Sequence, residues 1–178
     1  MEITNLSEII SVLIVTGVLG YIFSGYIKFY KRDFYSNFKF AILITAPAVI
    51  LHEFGHKFAS IAFGVPAYFQ IWPFGLALGV ILRIFHSPFL ILAPGYVNLQ
   101  QIAPPYQLAA IAFAGPLINL ILWSVAAIIL KKRRNLKRRT MIALHLTKII
   151  NMWLFIFNML PIPPLDGSKV FGYLLGFY

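Results

Sequence analysis

Four long apolar stretches dominate the chain, at residues 9–27, 40–63, 106–130 and 141–160. Each is long enough to cross about 30 Å of hydrocarbon as a helix. The first lacks the small-residue cleavage pattern of a secretory signal and is followed by a charged stretch, so it is expected to be a retained helix. Residues 28–39 and 131–139 read as basic loops. Between the second and third stretches the pattern changes. Residues 67–105 are apolar and aromatic but broken by Pro73, Gly75, Gly79, Arg83, His86, Pro88, Pro94 and Gly95. That punctuation argues against a clean helix. It predicts a re-entrant or β-hairpin-like membrane element with short strands, since non-helical backbone at such depth persists only where protein buries it or water lines it. The tail after Gly167 is apolar but too short to cross. The expected fold is an all-α polytopic membrane protein with about four transmembrane helices plus that element, forming a single membrane-embedded domain over residues 1–178.

Composition supports the membrane reading. Of 178 residues, 60% are hydrophobic and 11% charged, against about 45–50% and about 25% in soluble domains. The absence of cysteine excludes disulfides, thiolate metal sites and cysteine nucleophiles. The net charge of +10 does not imply a nucleic-acid partner. Ten of the fifteen basic residues fall in two short stretches bordering apolar sequence: Lys28, Lys31 and Arg32, then Lys131, Lys132, Arg133, Arg134, Lys137, Arg138 and Arg139. Their expected roles are topology and contact with lipid headgroups. Of the five acids, only Glu53 and Asp166 are embedded in deep hydrophobic sequence.

The second apolar stretch carries His52-Glu53-Phe54-Gly55-His56, an H-E-x-x-H motif. Residues i and i+4 share one face of a helix, so both imidazoles can bind one zinc, with Glu53 beside the first ligand to activate water. Ionisable residues within a bilayer cost about 2.5–3.5 kcal/mol each on insertion scales, so three together point to a function. A catalytic zinc usually takes three protein ligands and an open position. No glutamate follows Glu53, and Ala59 and Ala62 stand where an extended motif needs glycine and histidine. Asp166 is the one downstream carboxylate; His86 and His145 are rival third ligands.

Together with Asn158-Met-Leu-Pro-Ile-Pro-Pro-Leu-Asp166-Gly167, the H-E-F-G-H motif resembles the site-2 proteases, the intramembrane zinc metalloproteases of peptidase family M50. Their paired signatures are H-E-x-x-H and N-x-x-P-x-P-x-L-D-G, in this order; a Gly-Pro-x-x-Asn element, here residues 115–119, also occurs in them. The resemblance covers roughly residues 40–170. It implies one zinc per chain on His52, His56 and Asp166, with Glu53 as general base. It implies that Asn158 holds substrate or stabilises the oxyanion, and that the broken segment 67–98 offers a strand edge to an unwound substrate. The implied partners are a membrane protein or transmembrane peptide substrate and the lipid bilayer; the implied location is the cell membrane, as a multi-pass protein. No PDZ or CBS domain is expected. Asn119, Gly115 and Pro116 are expected to serve helix packing. The competing function is a catalytically silent membrane protein that binds a metal or a partner.

Overall fold

The structure is a computed structural model, described over residues 5–27, 33–87, 94–101, 103–133 and 135–177. Lys28, Lys31, Arg32, Pro88 and Arg134 lie outside the described residues. In chain order the elements are α1 (Leu6–Ser24), α2 (Phe34–Ala62), β1 (Ala67–Ile71), α3 (Pro73–Ile84), β2 (Gly95–Leu99), α4 (Pro105–Lys132), α5 (Arg138–Asn158) and α6 (Asp166–Leu175). Among the described residues α1, α2, α4 and α5 are long and apolar enough to span a bilayer. The protein is an all-α polytopic membrane protein with a small two-stranded sheet.

Capping moves several helix ends beyond the apolar stretches. Asn5 accepts from the Glu8 amide at 2.9 Å while Glu8 accepts from the Asn5 amide at 3.2 Å. This reciprocal capping box starts α1 before Ile9. Asp33 accepts from the amide of Ser36 at 3.2 Å and from its hydroxyl. These bonds hold the Asp33 carboxyl below its usual value and start α2 at Phe34, so residues 34–39 are helical rather than loop. Lys131 and Lys132 occupy the last turn of α4, where cations complement the helix dipole, and Arg138 opens α5. The second basic stretch is thus partly helical.

The described contacts group the chain into two compact units. The first comprises Met1–Ile50 and Tyr68–Asn98. Here α1 meets the early part of α2 at Gly20, where an added Cβ would lie 2.5 Å from Ile42 Cγ1 and 2.9 Å from Phe38 Cε2. α1 also touches the sheet: buried Glu8 accepts from the Phe69 amide at 2.6 Å. The Trp72 amide donates to the Pro94 carbonyl at 3.1 Å, joining the end of β1 to the start of β2, so the strands run antiparallel. They are not joined by a tight turn, because α3 lies in the connection. Pro73 begins α3 rather than breaking it, since a proline at the first helical position lacks only an N–H that the helix does not use. At 12 residues and 1.5 Å per residue, α3 is about 18 Å long, too short to span. It ends before His86, whose φ is +53°.

The second unit comprises Leu51–Ala67 and Leu99–Tyr178. Here α4 packs against α5 and α6. After Asn158 the chain turns through Pro161, Pro163 and Pro164, with a cis peptide between the last two, and re-enters a helix at Asp166. Gly167 permits that re-entry: a Cβ there would lie 2.5 Å from the carbonyl oxygens of both Met159 and Leu160.

The α1–α2 contact gives a paired prediction. Gly20→Leu overpacks the contact and should destabilise by about 1–3 kcal/mol, read as a lowered midpoint of thermal unfolding in detergent. Gly17→Leu, at a position whose added Cβ meets nothing within 4 Å, should leave the midpoint unchanged or raise it. Equal effects of the two would contradict the packing described.

Candidate metal centre

His52 and His56 lie one turn apart on the part of α2 that belongs to the second unit, 7% and 8% exposed. Their Nε2 atoms are 3.1 Å apart. Oδ2 of Asp166, the first residue of α6, stands 3.1 Å from His52 Nε2 and 3.3 Å from His56 Nε2. Among the described residues these three form the group placed to hold a metal ion, with ligand atoms within 4.8 Å of one another. His86 and His145 do not belong to it. His86 follows α3, and His145 is exposed on α5. The local sequence explains the meeting. The i, i+4 spacing aligns the imidazoles, and the proline-rich turn makes Asp166 a helix start rather than a mid-helix residue.

Helix α4 supports both imidazoles from behind. His56 Nδ1 lies 2.7 Å from the Ile111 carbonyl oxygen. A carbonyl only accepts, so His56 donates from Nδ1 and its Nε2 carries the lone pair. His52 Nδ1 lies 2.6 Å from Asn119 Oδ1, and Asn119 Nδ2 donates to Asn151 Oδ1 at 2.8 Å. Ile111, Gly115 and Asn119 recur every four residues and form one stripe of α4. Pro116 has no N–H to give the carbonyl of Ala112, interrupting the helical ladder in the turn that holds the Ile111 carbonyl. Close approach of α2 and α4 depends on Gly55, where a Cβ would lie 2.8 Å from the Ala114 carbonyl oxygen and 2.9 Å from Ile118 Cγ1.

The donor set fits a metal. Acceptor atoms of His56 and Asp166 converge with the Nε2 of His52 in a buried place, an arrangement that a cation stabilises. Gly115 leaves the adjoining space clear: a Cβ there would collide with His56 Nε2 and lie 2.8 Å from His52 Nε2. Two imidazoles and one carboxylate without thiolate are a ligand set that suits zinc.

The other expected site residues are placed differently. Glu53, next to His52, is 8% exposed, and its carboxyl has no hydrogen-bond partner among the described residues. Asn158 closes α5; its half-buried amide likewise has no such partner and is not part of the ligand group. Asn119, expected to serve packing, also touches His52. Asn151 carries no motif and was not anticipated. The signal for it is an amide in the middle of an apolar helix, where an unpaired polar group is costly.

Gly115→Ala tests the clearance beside the ligands. Alanine is the better helix former by about 1 kcal/mol, so helix stability alone favours the variant. Its methyl group nevertheless takes the space against both Nε2 atoms. Metal retained after dialysis should fall at least about tenfold, the scale of support-shell substitutions, while the helical circular dichroism is kept. Unchanged metal content would contradict this geometry.

Comparison with known proteins agrees with the site. Residues 39–136 match peptidase family M50. A protein of Methanocaldococcus jannaschii named "Putative zinc metalloprotease" is 34% identical over 173 residues, covering 92% of this chain and 82% of that protein. A Synechocystis protein of the same description is 29% identical over 131 residues, covering 73% of this chain and 29% of its own length. With a family match over more than half of its residues, and a relative aligned along most of both lengths, the chain belongs to peptidase family M50 and is a metalloprotease.

Proposed function

We propose that this metalloprotease is a zinc-dependent intramembrane endopeptidase of the cell membrane. It hydrolyses peptide bonds in or near the transmembrane segments of membrane protein substrates, using one zinc per chain. The observation that carries the reading is the convergence of His52, His56 and Asp166, with both histidines inside a helix fit to span the bilayer. These three residues would hold the zinc. When bound, it supplies Lewis-acid polarisation and lowers the pKa of water to about 7.

The protein's own groups carry the proton and orient the substrate. The Glu53 carboxylate takes a proton from the attacking water as that oxygen bonds to the carbonyl carbon. It returns the proton to the amide nitrogen as the C–N bond breaks. Asn158 offers an amide N–H to the oxygen on which negative charge develops, without adding a charge of its own. A helical substrate hides its peptide bonds, and an edge of the β1–β2 sheet can hold an unwound segment in extended form.

Glu53→Gln separates chemistry from metal binding. The variant keeps side-chain size but cannot take the proton, so cleavage of a transmembrane peptide in detergent should fall by at least about 10²–10⁴-fold while zinc content stays near one per chain. Asp166→Ala should lose the zinc itself. Equal cleavage by Glu53→Gln and wild type would remove Glu53 from the mechanism. Zinc binding with no cleavage by either protein across a broad substrate panel would favour a silent metal-binding protein.

A further inference from the structure

Asn119 and Asn151 are both fully buried, at 0% exposure, on two helices that otherwise read as apolar spans. They form a hydrogen-bonded series that ends on the metal ligand His52. We infer that Asn151, two residues removed from any metal, fixes the tautomer of His52 through Asn119 and thereby sets how tightly zinc is held. The inference rests on the metal centre described above.

The series is anchored at a group whose role is unambiguous. The Thr147 carbonyl can only accept, and Asn151 Nδ2 donates to it at 2.8 Å. That turns Asn151 Oδ1 toward Asn119, where it accepts from Asn119 Nδ2 at 2.8 Å. Asn119 must then present Oδ1 to His52 Nδ1, at 2.6 Å. An oxygen there demands the proton on Nδ1, which leaves the Nε2 lone pair for the metal. Each step follows from the one before it, and the whole series lies within the second unit.

The two histidines therefore differ in kind. His56 is held by a backbone carbonyl, which cannot reverse its polarity. His52 is held by a side-chain amide, whose oxygen and nitrogen exchange places on a half-turn. Without Asn151, a turned Asn119 can present N–H to Nδ1. The His52 proton then moves to Nε2, where it blocks the ligand position.

The test is zinc affinity by chelator competition on purified, detergent-solubilised protein, with the visible spectrum of the cobalt-substituted form reporting ligand geometry. Asn151→Leu leaves every ligand in place yet should weaken zinc binding about tenfold, at the lower end of support-shell effects. Asn119→Leu should weaken it at least as much. Asn119→Asp should bind within a few-fold of wild type, because a carboxylate accepts from His52 whichever way it turns. In the Asn119→Asp background, Asn151→Leu should cause no further loss. A purely packing role predicts the opposite: Asn119→Asp as damaging as Asn119→Leu, and an undiminished effect of Asn151→Leu in both backgrounds. Wild-type affinity in Asn151→Leu would also overturn the inference. If Asn151→Leu does not fold, the contrast between Asn119→Asp and Asn119→Leu decides alone. Failure of the metal centre itself is distinguishable, because wild type would then bind no zinc or Asp166→Ala would bind it normally.

Discussion

In a hydrocarbon layer a polar group without a partner is costly, and the two histidines of α2 have four ring nitrogens to place. Two of them, the Nδ1 atoms, lie against an oxygen of Ile111 and an oxygen of Asn119 on α4. The other two are thereby committed to the point where Asp166 arrives. This division of the ring nitrogens organises the second unit. It requires α4 to lie close to α2, which Gly55 permits, and it requires open space beside the ligands, which Gly115 provides. It also requires a buried amide on α4, which in turn requires one on α5. The Gly-Pro-x-x-Asn element therefore adjoins the candidate metal centre: Gly115 leaves space beside both histidines, Pro116 loosens the helical turn beside the Ile111 carbonyl, and Asn119 lies against His52.

Asp166 reaches the same place by a different route. A carboxylate in mid-helix would have to be aimed by its rotamer alone. Here the chain leaves α5 at Asn158, turns through three prolines and restarts a helix at Asp166. Gly167 lets that first turn rest directly on the backbone of Met159 and Leu160. The Asp166 carboxylate is thus carried by a helix start braced against the end of the preceding span.

Much of this is readable from residues alone, and the limits have physical causes. The i, i+4 histidines and the late Asp-Gly are visible because helical spacing and the scarcity of acids leave few choices. The third ligand stays ambiguous on spacing alone, since His86, His145 and Asp166 are all distant in sequence; only the resemblance favours Asp166, and only the fold brings it to the histidines. Asn119 reads as packing because the stripe of Ile111, Gly115 and Asn119 acquires meaning only opposite the imidazoles. Asn151 is invisible because its role passes through another side chain. In the first unit, the prolines and glycines of residues 67–105 correctly signal short strands but conceal α3, because a proline that begins a helix looks the same in sequence as one that breaks it. The helix starts at Leu6 and Phe34 are set by the caps at Asn5 and Asp33, which a pattern of apolar residues does not register.

The central claim is that one metal is held by two imidazoles through Nε2 and by one carboxylate. X-ray absorption at the zinc edge of the purified protein tests it directly. The account predicts two imidazole scatterers with Zn–N distances of about 2.0–2.1 Å, and oxygen in the remaining positions of a four-coordinate site. A third imidazole would place His86 or His145 on the metal in place of Asp166, and a shell with one imidazole or none would contradict the α2 site altogether.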